Sequence, residues 1–159
     1  MPIIGAPSPP AGGTAEFNAW LAGMFDGEGH VGFSRKHAVR LCITNTFAPV
    51  LFEIQLTLGY GSIKTTQTRS GWHTRYDWRT SHREEVADFI NRVKPYLRIK
   101  HDEILRAEER ITATRNARAA SMDRTGRLLE LVHGGMSPAR AGRVVGISQT
   151  HSYRLSRGA

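Results

Sequence analysis

Residues 21–29 read LAGMFDGEG, and this nonapeptide carries the most informative chemistry of the chain. Thr14 is a suitable N-cap, and the residues after it predict a helix that ends near Phe25. The carboxylates of Asp26 and Glu28 follow at once, where the last helical carbonyls have no intrahelical partners. Oxygen ligands grouped in this way suit a hard divalent cation such as Mg²⁺. A helix cap followed by a polar turn is the alternative, and spacing alone favours it.

The predicted first helix has two distinct faces. Its bulky side chains recur at helical spacing, and they are Phe17, Leu21, Met24 and Phe25. Small residues form a second face, and they are Ala15, Ala19, Ala22 and Gly23. We expect such a helix to pack on its own core through the bulky face and to approach a second backbone closely through the small one.

Alternating apolar and polar residues follow the nonapeptide and predict strands. Further helical and alternating segments give the predicted order α-β-β-α-β-β-α-α. The predicted strands cover 30–36, 38–46, about 61–67 and about 73–80, and the later helices cover about 48–58, 83–93 and 100–119. Two antiparallel hairpins in one sheet, with helices on one side, make this an α+β fold.

The fourth predicted strand has aromatic side chains on one face and mostly basic side chains on the other. Tyr76 and Trp78 share the face that is expected to meet the core. The opposite face carries His73, Arg75, Asp77 and Arg79. An open sheet face of this composition fits contact with phosphate groups or base edges. An ordinary solvated face is the alternative.

The charge of the chain points to a polyanionic partner. Its 159 residues include 22 basic and 14 acidic side chains, which gives a net charge of +8 and a pI near 10.4. Residues 115–159 hold 8 basic and 2 acidic side chains, and residues 30–80 hold seven basic and two acidic ones. Nucleic acid is the first interpretation and an anionic membrane surface the second. A solvated basic surface is the alternative to both.

Several classes of protein are excluded or disfavoured. No run of about 18 apolar residues is present, so no membrane span is expected. The first residues lack the basic and apolar regions of a signal peptide, and residues 1–13, rich in Pro, Gly and Ala, are predicted to be disordered. A single cysteine, Cys42, excludes a disulfide framework and a cysteine-rich zinc site. These features indicate an intracellular protein, in the cytoplasm, with the nucleoid or in an organelle.

The nonapeptide resembles the LAGLIDADG motif of homing endonucleases. It matches that motif at Leu21, Ala22, Gly23, Asp26 and Gly29, with conservative changes at Met24, Phe25 and Glu28. The order of elements over residues 14–118 is similar to that family as well. The resemblance implies an αββαββα LAGLIDADG-type core with a saddle-shaped antiparallel sheet on double-stranded DNA. One motif per chain implies a homodimer, with motif helices packed together through Ala19, Ala22 and Gly23.

The resemblance also implies a metal site and catalytic residues. Glu28, the last acid of the motif, would bind Mg²⁺ or Mn²⁺ together with the backbone carbonyl of Gly27. Asp26 is expected to stabilise the end of the motif helix. Lys100 corresponds to a basic residue after the third helix, and Asn45 to a polar residue that positions the attacking water. Without the motif, Lys100 is interpreted as a solvated lysine and Asn45 as a turn residue.

Residues 120–159 form a separate predicted segment after an endonuclease domain of residues 14–119. Leucines at 128–132 predict a short helix, and two further helices are joined at Gly146, the second capped by Ser148. This layout resembles resolvase-type helix-turn-helix units, although Ser152 stands where an apolar residue is usual. The residues expected to contact DNA there are Gln149, Thr150, His151 and Arg154. A helical pair packed on the core is the alternative.

The sequence therefore predicts a homodimeric, divalent-metal-dependent, sequence-specific double-stranded DNA endonuclease of the homing type, mobile with an intron or intein. The sheet residues expected to contact DNA are Ser34, Lys36, Arg40, Lys64, Thr66, Arg75, Asp77 and Arg79. A non-cleaving transcriptional regulator with a LAGLIDADG fold and a helix-turn-helix is one alternative, and an RNA maturase is another. The presence of Glu28 and Lys100 favours cleavage.

Overall fold

The computed structural model describes residues 13–34, 38–66 and 73–158. Within these residues the chain forms an α+β fold, and the predicted order of its first eight elements is confirmed. The elements are α1 (Ala15–Glu28), β1 (Gly29–Phe33), β2 (Val39–Asn45), α2 (Ala48–Leu58), β3 (Ser62–Thr66), β4 (Arg75–Thr80), α3 (Arg83–Val93), α4 (His101–His133), α5 (Pro138–Val145) and α6 (Gln149–Arg157).

The four strands form one antiparallel sheet in the order β1-β2-β4-β3. Gly29 at the start of β1 pairs with Ile43, and Ile43 in turn pairs with Trp78 of β4. The end of α1 therefore lies beside the end of β2, at one end of the sheet. At the opposite end, Leu41 pairs with Thr80.

Helices α1, α2 and α3 contact one face of the sheet, and the core lies between the two layers. Trp78 is fully buried and stacks on Phe89, with ring centroids 5.4 Å apart. The ring of Phe25 in α1 packs edge-on against the ring of Phe89, with centroids 5.1 Å apart. Because large aromatic side chains contribute the most buried area per residue, this cluster anchors α1 and α3 to β4. The predicted core face of β4, with Trp78 inward, is confirmed.

Helix α1 ends at Glu28, about one turn beyond the predicted end at Phe25. Asp26 and Glu28 thus lie in the last helical turn and not in a loop after it. Strand β1 begins directly at Gly29, whose N–H donates to the carbonyl of Phe25. A side chain at position 29 would collide with the carbonyl and ring of Phe25. Glycine is therefore needed for this abrupt passage from helix to strand.

Helix α4 corrects the prediction of a helix that ends at residue 119. It continues without a break to His133 and includes the leucines of the predicted short helix. No proline interrupts residues 101–133, and the one glycine there, Gly126, is tolerated in a long helix. The chain divides into two compact units between Ile111 and Thr112, within α4, whereas the predicted boundary falls at 119/120.

Three further expectations concern ends and exclusions. Helix α3 covers Arg83–Val93, as expected, and His82 is its N-cap. The predicted disordered segment lies outside the described residues except for Gly13. No helix in the described part of the chain is both long enough and apolar enough to cross a membrane.

Candidate active site and nucleic-acid interface

Asp26 in the last turn of α1 binds the segment that leads into α4. Its carboxylate accepts hydrogen bonds from the backbone N–H groups of Arg98 at 2.8 Å, Ile99 at 3.1 Å and Lys100 at 2.9 Å. Burial raises the pKa of this carboxyl, but the three N–H donors outweigh burial and hold its pKa below the ordinary value. Asp26 therefore fixes two distant parts of the chain together, which agrees with its expected stabilising role.

Lys100 is brought to the end of the motif helix by this arrangement. Its ammonium Nζ donates to the backbone carbonyl of Asp26 at 2.5 Å. A cation at a helix C-terminus is stabilised by the carbonyls that have no intrahelical partner. The ammonium of Lys100 thus contacts the backbone two positions before Glu28, although Lys100 and Glu28 are 72 positions apart in sequence.

Glu28 and Gly27 are exposed at the same helix end. A carboxylate and a backbone carbonyl are hard oxygen donors of the kind that Mg²⁺ and Mn²⁺ prefer. Among the described residues no group of three or more His, Cys, Asp or Glu side chains could hold a metal ion. The donors of one chain fit a divalent ion in type, and a second copy or a bound phosphate would have to complete the set.

Asn45 is the last residue of β2 and lies at the end of the sheet where α1 also ends. Its Oδ1 accepts from the backbone N–H of Phe47 at 2.8 Å, an Asx turn that leads the chain into α2. The carbonyl half of the amide is therefore occupied, and the NH₂ half remains as a donor. Within β2, Asn45 belongs to the same face of the sheet as Leu41 and Ile43, which are buried against the helices.

The sheet face opposite the helices is open and basic. By strand register, this face carries His30 and Gly32 of β1 with Ser34 just after it, Arg40, Cys42 and Thr44 of β2, Ser62, Lys64 and Thr66 of β3, and Arg75, Asp77 and Arg79 of β4. The structure thus brings most of the predicted DNA-contacting residues onto one surface. His30, Cys42, Thr44 and Ser62 were missed, although the same alternation marks them.

Asp77 lies on the open face but does not project from it. Its side chain is 1% exposed, while that of Arg75 is 46% exposed. The carboxylate accepts from Thr44 Oγ1 at 2.6 Å, from Arg79 at 2.6 Å and from Thr66 Oγ1 at 3.3 Å. The expectation that Asp77 itself reaches DNA is corrected, because its neighbours cover it and occupy its oxygens.

The electrostatics of this cluster follow from those bonds. Burial raises the pKa of Asp77, but hydrogen bonds from Thr44 and Arg79 outweigh it and keep the pKa below the ordinary value. The hydrogen bond to Asp77 in turn raises the pKa of Arg79. Asp77 stays ionised and orients Arg79, whose side chain remains one-third exposed. We call Thr44, Thr66, Arg75, Asp77 and Arg79 the Asp77 cluster.

Two of the predicted contact residues are in the hairpin between β1 and β2. Ser34 Oγ accepts from the N–H of Ala38 at 3.1 Å, so its hydroxyl oxygen is used within the hairpin. The carbonyl of Ser34 accepts from Arg110 of α4 at 3.1 Å. Lys36 lies outside the described residues.

The small face of α1 is narrower than predicted. Ala19 and Gly23 are exposed, and a Cβ atom at position 23 would meet none of the described residues within 4 Å. Ala22 is fully buried in the core beside Leu21 and Phe25, so it is removed from the predicted dimer face. Side-chain size assigned Ala22 to the small face, but the buried face of α1 is wide enough to include it.

The second unit contains the end of α4 with α5 and α6. Gly146 ends α5 in the left-handed conformation, and Ser148 precedes α6 as its N-cap. Ser152 is fully buried and donates from Oγ to the carbonyl of Ser148 at 2.9 Å. Its small side chain fits against Gly142 of α5, which explains why a polar residue stands at this position.

The exposed side of α6 carries the predicted contact residues. Gln149, Thr150 and Arg154 line one pocket of about 510 Å³ together with Tyr153 and Arg157. Arg154 contacts His151 Nδ1 at 2.9 Å. The four predicted residues therefore lie on one short helix, with two arginines in its last turn.

Known homing endonucleases share the fold of the first unit. No curated protein matches the chain in sequence. I-CvuI in complex with its target and calcium is 16% identical over 91% of this chain and 94% of that chain, with a TM-score of 0.53. I-CeuI complexed with DNA is 14% identical over 78% and 67%, with a TM-score of 0.55. I-TnaI is 22% identical over 63% and 74%, with a TM-score of 0.50.

A sequence profile described as the LAGLIDADG-like domain matches residues 16–112. This range contains α1, the four strands, α2, α3 and the first turns of α4. The match covers more than half of the chain, and the αββαββα order and antiparallel sheet agree with it. The chain belongs to the LAGLIDADG-like domain family.

Proposed function

We propose that the protein is a homodimeric, divalent-metal-dependent, sequence-specific double-stranded DNA endonuclease of the homing type. The observation that carries the proposal is the meeting of Lys100 and the motif helix end, where Lys100 Nζ lies 2.5 Å from the carbonyl of Asp26. This contact brings an ammonium to the helix end that carries the exposed carboxylate of Glu28, and the same unit has an open basic sheet face. Such a combination fits hydrolysis of a phosphodiester bond.

DNA would lie on the open face of the sheet. Arg75 and Arg79 present guanidinium groups held by Asp77, and a fixed guanidinium suits bidentate contact with a guanine edge. Arg40, Lys64 and Thr66 extend the same surface. The DNA complexes of I-CvuI and I-CeuI support this assignment.

The metal would be held by Glu28 and the carbonyl of Gly27. Structures of I-CvuI with DNA in the presence of calcium or magnesium support a divalent ion. When bound, such an ion supplies an activated water and stabilises charge on the leaving oxygen. Lys100 offsets the negative charge that develops on the phosphate. The NH₂ group of Asn45 donates a hydrogen bond that orients a water.

A homodimer would supply the second set of groups. One chain has one Glu28, and cleavage of two strands needs one such carboxylate for each strand. Ala19 and Gly23 allow close approach of two motif helices. Gly23→Leu should give a folded monomer, because a Cβ atom added there meets none of the described residues within 4 Å. Light scattering that shows a monomeric wild-type protein, with and without DNA, would refute the dimer.

The second unit would act as an additional DNA-binding element. Its two short helices, the glycine between them and the arginines of α6 support a helix-turn-helix. Gln149, Thr150 and His151 lie at the start of α6, where side chains reach base edges. Arg154 lies further along, where phosphates are met.

A cleavage assay on the DNA that flanks the protein's own gene tests the proposal. We expect double-strand cleavage with Mg²⁺ or Mn²⁺ and none with EDTA. Glu28→Gln should abolish cleavage while duplex affinity and the unfolding transition stay close to those of the wild type. Binding of duplex without cleavage under any metal would favour the transcriptional regulator. Specific binding of the host intron RNA, with no duplex binding, would favour the maturase.

A further inference from the structure

A second basic site lies on the open face, at the end of the sheet away from the motif helix. A pocket of about 480 Å³ is lined there by Arg40, Gly61, Ser62, Lys64, Arg79, Thr80, Ser81, His82 and Glu85. Arg40 precedes Leu41, which pairs with Thr80, whereas Asn45 near the active site pairs with Tyr76. We call this pocket the Arg40 pocket.

The cations of the Arg40 pocket are largely available for a ligand. Arg40 and Lys64 are exposed and form no ion pair among the described residues. Arg79 uses one guanidinium nitrogen for Asp77, at 2.6 Å. Among the described lining residues the carboxylate is that of Glu85, which accepts from Thr80 Oγ1 at 2.5 Å. His82 is engaged by Glu84, with 3.1 Å between Nδ1 and Oε2.

The chemistry of the lining selects a compact anion. Guanidinium, ammonium and the hydroxyls of Ser62 and Ser81 are donors, and none of the described lining residues has a large apolar side chain to stack on a base. Tetrahedral phosphate oxygens accept hydrogen bonds from all of these groups, and Arg and Lys are the usual phosphate contacts. The described lining has more cations than carboxylates, so its net positive charge attracts a negatively charged phosphate.

We propose that the Arg40 pocket binds one backbone phosphate of the duplex that lies on the open face. The proposal rests on the DNA-binding part of the proposed function and divides the face into two ends. Arg75 of the Asp77 cluster is held for base edges, the Arg40 pocket holds the sugar-phosphate backbone, and Arg79 lies where the two meet. The pocket therefore contributes affinity that does not depend on sequence, and the Asp77 cluster contributes selectivity.

Duplex binding measured against salt concentration tests this division. Arg40→Ala, Lys64→Ala and the double variant are compared on the target duplex and on a random duplex of equal length. We expect each single variant to weaken binding to both duplexes by the same factor. The double variant should make the slope of the log binding constant against log salt concentration shallower by about one, since both cations bind one phosphate. Arg106→Ala, an exposed arginine of α4, controls for the loss of net charge.

Each other outcome overturns the proposal. A slope change of about two would mean that Arg40 and Lys64 meet separate phosphates. A loss confined to certain base pairs would mean that they read bases. Effects no larger than that of Arg106→Ala would mean that the pocket does not contact DNA.

Titration with inorganic phosphate separates failure of the pocket from failure of DNA binding. Saturable NMR shifts at the amides of Arg79, Ser81 and His82, abolished by the double variant, are expected whether or not the wild type binds duplex. Competition of phosphate with the random duplex would place the backbone in the pocket. Phosphate shifts without duplex binding would mean that the pocket takes a free phosphate compound, and their absence would overturn the site.

Discussion

Two carboxylates organise the functional surface of the first unit, and they differ in what they bind. Asp26 accepts three hydrogen bonds from backbone N–H groups of the segment before α4. Asp77 accepts its bonds from side chains of the open face. The first carboxylate therefore fixes the course of the main chain, and the second fixes the orientation of side chains. Loss of Asp26 should affect stability first, and loss of Asp77 should affect selectivity first.

Asp26→Asn should have the largest effect on stability. The variant removes the charge that three N–H donors share and replaces two acceptor oxygens with one. We expect the free energy of unfolding in urea to fall by about 2 kcal/mol, in the range of charged hydrogen bonds and helix caps. Cleavage should fall as well, because Lys100 loses its fixed position.

Glu28→Gln is the matched control for Asp26→Asn. It removes a carboxylate from the same helical turn, but that carboxylate is exposed and forms no hydrogen bond or ion pair among the described residues. Its free energy of unfolding should remain within about 0.5 kcal/mol of the wild type. Equal destabilisation by both variants would show that the charge of the helix end, and not the bonds of Asp26, is responsible.

Asp77→Asn should change selectivity more than stability. Arg75 and Arg79 lose their shared counter-charge, so they are less well oriented and more attractive to any phosphate. We expect affinity for a random duplex to rise at low salt while the preference for the target duplex falls. The free energy of unfolding should fall by about 1 kcal/mol. Glu53→Gln on α2, with the same change in net charge, should leave the target preference unchanged.

The two carboxylates should also give the protein an acid-sensitive stability. Both pKa values lie below the ordinary value in the folded chain, so the unfolded state binds more protons as the pH falls. The stabilisation is present above the ordinary Asp pKa of about 3.9 and is lost as the pH falls through the lower folded values. Urea unfolding between pH 6 and 2 should show a shallower loss for Asp26→Asn than for the wild type. Parallel curves would contradict the assignment.

The sequence predicted the order of the elements well because each depends on a local pattern. Alternation placed Trp78 inward and Arg79 outward, and the nonapeptide located the end of α1. The partners of Asp26 were beyond such patterns, since they lie more than 70 residues away. Alternation also assigned Asp77 to a face without showing that Arg75 and Arg79 fold over it. Burial at Ala22 depended on the width of the packed face and not on residue size.

The second unit was the least predictable part of the chain. The predicted helix end at residue 119 was wrong, because an alanine- and arginine-rich helix needs no apolar stripe to continue. At Ser152 a polar residue is buried, because Gly142 leaves room for it and the backbone carbonyl of Ser148 accepts a hydrogen bond from its hydroxyl.

Gly142→Ala should have the smallest effect on cleavage, because it changes only the second unit. A Cβ atom at position 142 would meet the side chain of Ser152 and lie 2.8 Å from the carbonyl of Ile147, so α5 and α6 must move apart. Overpacking of this kind costs about 1–3 kcal/mol. The Cβ atom that Gly126→Ala adds on α4 has none of the other described residues within 4 Å, and this change should stabilise its helix by up to about 1 kcal/mol. Neither change alters charge, so a difference in DNA binding reports packing.

If α6 contacts DNA beside the main site, Gly142→Ala should shorten the footprint at both ends, and Gly126→Ala should leave it intact. An unchanged footprint in a Gly142→Ala protein whose second unit has lost helical signal would show that α6 does not bind DNA.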